Sequence, residues 1–183
     1  MEQLRSAQMK KWITSAMFAA IIAVLSQIAI PMPAGVPVTL QTFAIALCGY
    51  ILGWRFGLAA TLLYLMIGAV GAPVFASFSG GIGVLFGMTG GYLSGFLFMA
   101  VLCGLGAKCR SKVAAAGLGL AGLALCHALG VVQFAAVTGS SMLYAFTVAS
   151  LPYLIKDVVS VAIAYFVSLV VRRRLHAAGF TES

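Results

Sequence analysis

The sequence predicts an all-α polytopic membrane protein: six transmembrane helices with both the N and the C terminus in the cytoplasm. Three observations lead there. Hydrophobic residues make up 63% of the 183 residues and charged residues only 8%, where a soluble domain carries about a quarter charged. The apolar residues gather in runs close to the roughly 20 that a helix needs to cross the hydrocarbon core. The charges, net +8, lie almost wholly at the termini and in short interruptions between those runs, where basic residues mark cytoplasmic loops. The length suits one compact bundle, a single domain over residues 1–183.

The first span is expected over about Trp12–Ile30. Lys10 and Lys11 precede it, and Pro31 and Pro33 end it, since proline lacks the N–H a helix needs and its ring clashes with the preceding turn. The run is too long for a signal-peptide core, and further spans follow it. After a turn at Pro37, a second span covers about Leu40–Leu52. Gly53-Trp54-Arg55-Phe56-Gly57 is a tight connection, and a third span follows to about Val70. Both are short, so they tilt or begin within the preceding loop. The stretch Gly71–Gly83 (GAPVFASFSGGIG) is a loop by its Pro73 and glycines, yet apolar through Val74, Phe75 and Phe78. Irregular backbone at membrane depth is tolerated only where it is buried in protein or lines a cavity. A fourth span is expected over about Val84–Gly106 and a fifth over Val113–Val137. The sixth runs from Tyr144 or Pro152 to Val171, ahead of Arg172-Arg173-Arg174.

The basic residues set the topology. Arg5, Lys10 and Lys11 precede span one, Arg55 separates spans two and three, Lys108, Arg110 and Lys112 separate four and five, and Arg172 to Arg174 follow six. Six spans with both ends inside put all of these on the cytoplasmic side, while the other three connections carry none. Small residues are also patterned. Gly83, Gly87, Gly91 and Gly95 recur every four residues, a spacing that lets helices approach closely. In span one, Ala16 and Ala20, with Ala19 and Ala23 beside them, form overlapping small pairs that suit either packing within the bundle or a face kept for a partner subunit.

Several function classes are set aside. The basic groups flank spans, so they do not indicate nucleic-acid binding. Cys48, Cys103, Cys109 and Cys126 lack paired spacing for zinc or a disulfide framework. His127, the one intramembrane histidine, lacks companions for a metal site and is expected to bond a carbonyl on a neighbouring helix. Gly81-x-Gly83-x-x-x-Gly87 has neither the spacing nor the strand of a phosphate loop. No nucleophile and base can be assembled, so an enzyme is not expected, nor a cofactor.

Lys156 and Asp157 remain, at the outer end of span six. A charge at the centre of a span costs roughly 2.5–3.5 kcal/mol, and intramembrane charges usually face a cavity. Adjacent helical residues point about 100° apart, so each is expected to reach a different partner rather than pair directly. Gln41, the Gly-rich loop, Gln133 and Phe134 lie on the same outer side. Together they suggest a pocket for a small ligand with amide-like groups, an apolar body and a carboxylate. The rival reading is a stand-alone proton-coupled carrier or exporter that uses Asp157 as its acid.

The run Pro37-Val38-Thr39-Leu40-Gln41-Thr42 resembles the start of span two in the BioY family, the biotin-specific substrate-binding components of energy-coupling factor transporters. Gly71-Ala72-Pro73-Val74-Phe75, Ser79-Gly80-Gly81-x-Gly83 and Gly87-x-Thr89-Gly90-Gly91-Tyr92 are similar too, as are Pro152 and Asp157. The resemblance implies a subunit of a prokaryotic cell membrane that captures biotin from outside. It would release biotin inside, in complex with a coupling membrane subunit and two ATPases. It further implies that the ligand lies under the first loop and the loop after span three. There Ser79, Gly80, Gly81 and Gly83 would hold the ureido head and Asp157 would meet polar groups. Gln41, Phe75, Tyr92, Phe134 and Lys156 complete the expected site, and the span-one alanines would face the coupling subunit. The chain departs from the family pattern at Met88, where proline is usual, at Ser160, where many members have lysine, and at Ile155-Lys156, where Pro-Gly is common. Lys156 is expected to supply the positive charge that Ser160 does not.

Overall fold

The structure, a computed structural model, describes residues 2–33 and 35–177, with side chains from 8 to 33 and from 35 to 174. The side chain of Arg5, counted above for topology, lies outside these. Helix α1 (Glu2–Ser26) buries Phe18, Ala19 and Ile22 and turns Trp12, Ile13, Met17 and Val24 outward. It stops four residues before the expected Ile30, because Ala29–Ile30 leave the helix as strand β1 and pair antiparallel with β2 (Val38–Thr39), Ala29 opposite Thr39. The prolines between them leave a backbone that cannot be helical, and the two-residue ribbon satisfies some of its polar groups.

Helix α2 (Gln41–Ala69) reverses at Gly53, whose φ of 77° and ψ of 172° lie outside helical geometry. A positive φ costs glycine little and other residues much. The two arms run antiparallel from this point: Cys48 approaches the Gly57 carbonyl at 3.9 Å, and Gln41 hydrogen-bonds Tyr64 at 2.7 Å. The expected connection around Gly53 is thus a one-residue reversal.

The next stretch holds a 3-10 turn (Ala76–Phe78), then α3 (Ile82–Phe86) and α4 (Gly90–Gly106). The expected fourth span is therefore broken, with Gly87 extended between the two helices. Gln133 bridges the break, donating to the carbonyls of Leu85 and Gly87 at 2.8 Å each. Helix α5 (Lys112–Thr138) starts at Ser111, whose hydroxyl accepts from the Ala114 N–H, and ends at Gly139 with φ 66°. The expected sixth span is split at Ser150 into α6 (Met142–Ala149) and α7 (Leu151–Ala177). Among the described residues, four helical segments are long and apolar enough to cross a membrane: Gln8–Ser26, Gln41–Ala69, Lys112–Thr138 and Leu151–Arg174.

The core forms where α2 packs on α1, α4 and α7, and α4 on α5. Close approach depends on small residues. A Cβ on Gly91 would stand 2.2 Å from the Leu129 carbonyl, and one on Gly95 2.6 Å from the Cys126 Cα. Gly83, by contrast, faces open space, so only the lower part of the glycine series serves helix packing. The series of alanines in α1 divides as well. Ala19 is in the core and Ala23 packs against it, while Ala16 and Ala20 are exposed. Of the four, Ala16 and Ala20 form the exposed pair.

The two ends of the bundle differ in chemistry. At one end Trp12 meets Phe56 edge-on at 5.5 Å, Gly104 abuts Trp54, and Arg172 donates to the Ala107 carbonyl at 2.8 Å. Arg55 and the Lys108–Lys112 connection belong to this end. Residues 26–41, 71–81 and 149–157 gather at the other. Overpacking a core costs about 1–3 kcal/mol. Gly95→Ala is therefore expected to lower the thermal unfolding temperature in detergent clearly. Gly117→Ala, with nothing within 4 Å of the new methyl, should leave it equal or slightly raised.

Candidate functional site

A cavity of about 290 Å³ opens at the end away from the basic residues. This is close to the lower limit of small-molecule pockets, about 300 Å³. Two covers shape it. The segment between α1 and α2 contributes Pro31, Met32, Val36 and Thr39, and the segment after α2 contributes Phe75, Ala76, Ser77 and Ser79. Leu93 and Phe96 of α4 supply an apolar floor, while His127, Lys156 and Asp157 bring polar groups from α5 and α7.

Each cover is tied to a different helix. Tyr153 on α7 donates to the Val36 carbonyl at 2.6 Å, and the Lys156 ammonium donates to the Thr39 carbonyl at 2.7 Å. The other cover is held by the end of α1. The Ser26 hydroxyl lies 2.5 Å from the Val74 carbonyl, and Gln27 accepts from the Phe78 N–H at 2.9 Å. That cover is strained. Ser77 and Phe78 have φ of 57° and 55°, the left-handed region that residues with a Cβ seldom occupy. The Phe75 ring beneath it fits against Gly68, where a Cβ would clash at 2.1 Å, and meets Tyr64 edge-on at 5.5 Å.

Asp157 is only 5% exposed. Lys156 Nζ stands 2.5 Å from its Oδ1, and His127 Nε2 stands 3.2 Å from its Oδ2. Direct pairing of Lys156 with Asp157 corrects the expectation that neighbours on a helix would diverge. The long lysine stem curls back, because an uncompensated buried carboxylate is more costly than the bend. His127 corrects a second expectation. Among the described residues it bonds no carbonyl but joins two side chains, with Nδ1 2.7 Å from Ser150 Oγ. Thr42 of α2 faces the same carboxylate.

The expected site residues divide into two groups. Gln41, Phe75, Ser79, Tyr92, Lys156 and Asp157 all line the cavity. Gln41 is committed within it, donating to Tyr64 and accepting from Thr39 at 2.9 Å. Tyr92 donates its hydroxyl to the Ala149 carbonyl and turns its ring edge-on to His127 at 5.7 Å. Phe134 does not reach the cavity. It packs behind the cover with Val36, Ala145 and Tyr153. Gly80, Gly81 and Gly83 also stand back from the lining: a Cβ on Gly80 would lie 2.3 Å from the Ala72 carbonyl, and Gly81 has φ 97° and bonds the Gly68 carbonyl at 2.7 Å. The first two shape the turn rather than the wall, and Gly83 faces outward.

Comparison with known proteins accounts for this arrangement. Residues 1–177 match the BioY family. The chain belongs to the BioY family. Among its BioY relatives, "Biotin transporter BioY" of Thermotoga maritima is 44% identical over 67% of this chain and 73% of its own. "Probable biotin transporter BioY" of Pyrococcus horikoshii is 37% identical over 84% and 90%. The fold is similar to the crystal structure of the S-component for biotin from an ECF-type ABC transporter, with TM-score 0.79, 24% identity and coverage of 91% and 90%.

Sequence reasoning missed His127, Ser150, Thr39 and Tyr153 as parts of this BioY site. The only available signal was that an intramembrane histidine needs a partner, and Asp157 was the one membrane acid. The Gln27 anchor yields a test. Gln27→Ala removes a hydrogen bond worth about 1 kcal/mol, so amide exchange at Phe78 should quicken by roughly fivefold. Exchange along α2 should be unchanged when followed by mass spectrometry in detergent.

Proposed function

We propose that this BioY chain is the biotin-capturing membrane subunit of an energy-coupling factor uptake transporter. The observation that carries the reading is the small covered cavity with an apolar floor and the Lys156–Asp157 pair, its carboxylate buried, on one wall. Biotin has the matching parts: a cyclic urea with N–H and C=O groups, an apolar body and chain, and a terminal carboxylate. Asp157, an acceptor when ionised, suits the urea N–H groups. Lys156 keeps a donor available beyond Asp157 and Thr39, and its side chain is 30% exposed, so it suits the carboxylate. The names carried by the relatives support the same ligand.

The reading extends to topology and partners. The reversal at Gly53 divides α2 into two crossings, and α3–α4 and α6–α7 each form one, which gives six. The end bearing Arg55, Lys108, Arg110, Lys112 and Arg172–Arg174 faces the cytoplasm of a prokaryotic cell, and the cavity faces outward. The chain is a single membrane domain with no catalytic role and no cofactor of its own. A coupling membrane subunit and two ATPases supply the energy, and the exposed face with Ala16 and Ala20 receives the coupling subunit.

Two measurements test this. Calorimetry of the purified protein should register stoichiometric biotin binding without ATP, and no binding would refute the reading. Lys156→Ala should weaken biotin by roughly ten- to hundredfold, the loss of one charge-assisted hydrogen bond, while biotin amide is far less affected. Equal losses for the two ligands would remove Lys156 from carboxylate recognition.

A further inference from the structure

His127 is placed to act on the ligand without touching it through a polar atom. Its ring lines the cavity beside Tyr92, yet both ring nitrogens are engaged elsewhere, Nδ1 with Ser150 Oγ at 2.7 Å and Nε2 with Asp157 Oδ2 at 3.2 Å. The ligand therefore meets only ring carbon. What His127 determines is the state of its neighbour.

The proton positions follow from the partners. Asp157 lies 2.5 Å from the Lys156 ammonium, so its carboxylate is ionised and can only accept. Nε2 must then carry a proton and donate it to Oδ2. In the neutral ring, Nδ1 holds the lone pair and takes the Ser150 hydroxyl proton. The other groups facing the ring are neutral: Tyr92 from α4 and Ser150, which is fully buried at the α6–α7 junction. The result is a directed chain, Ser150 to His127 to Asp157, with Lys156 closing it from the far side. One carboxylate oxygen is occupied by the histidine. Oδ1, beside the lysine, accepts no well-directed hydrogen bond among the described residues. Oδ1 is itself buried and held against the lysine ammonium, so histidine and lysine grip the carboxylate from its two sides.

We infer that His127 is a positioning residue for capture: its Nε2–H, acting opposite the lysine on Oδ1, fixes the orientation in which the Asp157 carboxylate meets an N–H group of the ligand. The inference rests on the proposed function, since it concerns the urea end of the same ligand. It assigns a specificity role to a residue from a different helix, α5, and it predicts which half of the imidazole matters. A residue serving packing alone would show no preference between its two nitrogens.

The test exploits that asymmetry. In His127→Gln the side-chain amide reaches where Nε2 stood and donates to Asp157. In His127→Asn the shorter amide reaches only toward Ser150. Biotin binding by calorimetry should fall only a few-fold in the glutamine variant and by roughly ten- to hundredfold in the asparagine variant, as expected for losing one hydrogen bond to a charged group. Equal losses, unchanged affinity in both, or the reverse order would overturn the inference. A second readout needs no variant. Nitrogen-15 spectra of histidine-labelled wild-type protein, which contains only His127 and His176, should report His127 protonated at Nε2, and an unprotonated Nε2 would overturn the inference. If the wild-type protein binds no biotin, the proposed function fails, while the spectra still decide the proton position.

Discussion

A carboxylate carried into the interior of an apolar bundle imposes its needs on everything around it. Desolvating such an ion costs several kcal/mol even after the protein relaxes, and only close opposite charge and directed hydrogen bonds offset that. Asp157 draws Lys156 from its own helix, His127 from α5 and Thr42 from α2 to one point. Three helices that could otherwise slide in an apolar environment are thereby held in register. Lys156 adds a second consequence, because the same ammonium also holds the Thr39 carbonyl. The compensation of the acid and the closure of the cavity share one group.

The rest of the interior obeys the related rule that polar atoms removed from water must find partners. Tyr50 and Tyr64 are both fully buried, and each phenol has one: Tyr50 donates to the Ala115 carbonyl at 3.1 Å and Tyr64 accepts from Gln41. Gln133 does the same for the carbonyls released at the break between α3 and α4. Around these points the helices approach through glycine, so that attraction by close contact replaces the hydrophobic effect that lipid does not supply.

Much of this architecture was legible in the sequence because charges and prolines act locally. Lys10, Arg55, Lys108 and Arg172 delimit apolar runs, and Pro31 and Pro33 forbid a helix wherever the chain folds. Gly53 was legible as a connection, but its left-handed geometry depends on the two arms packing together. The ribbon of Ala29–Ile30 with Val38–Thr39 is too short for any periodicity to reveal. The break at Gly87 was hidden by the regular glycine spacing, which reads as one ridge when the helix is assumed continuous. In the site, Asp157 and Lys156 stood out as charges in apolar sequence. His127 lies 30 residues from the acid it serves, and only tertiary packing brings the two within reach. Whether an alanine of α1 faces in or out turned on a rotation about the helix axis that Ala16, Ala19, Ala20 and Ala23 alone do not specify.

The covers over the cavity are moored to separate helices, one to α7 through Tyr153 and Lys156, the other to α1 through Ser26 and Gln27. Both helices lean on α2. Displacing α1 along α2 would therefore strain both covers at once, because the Ala29–Ile30 ribbon also joins the first cover to the end of α1. The seating of α1 on the bundle and the closure of the chamber are thus mechanically linked.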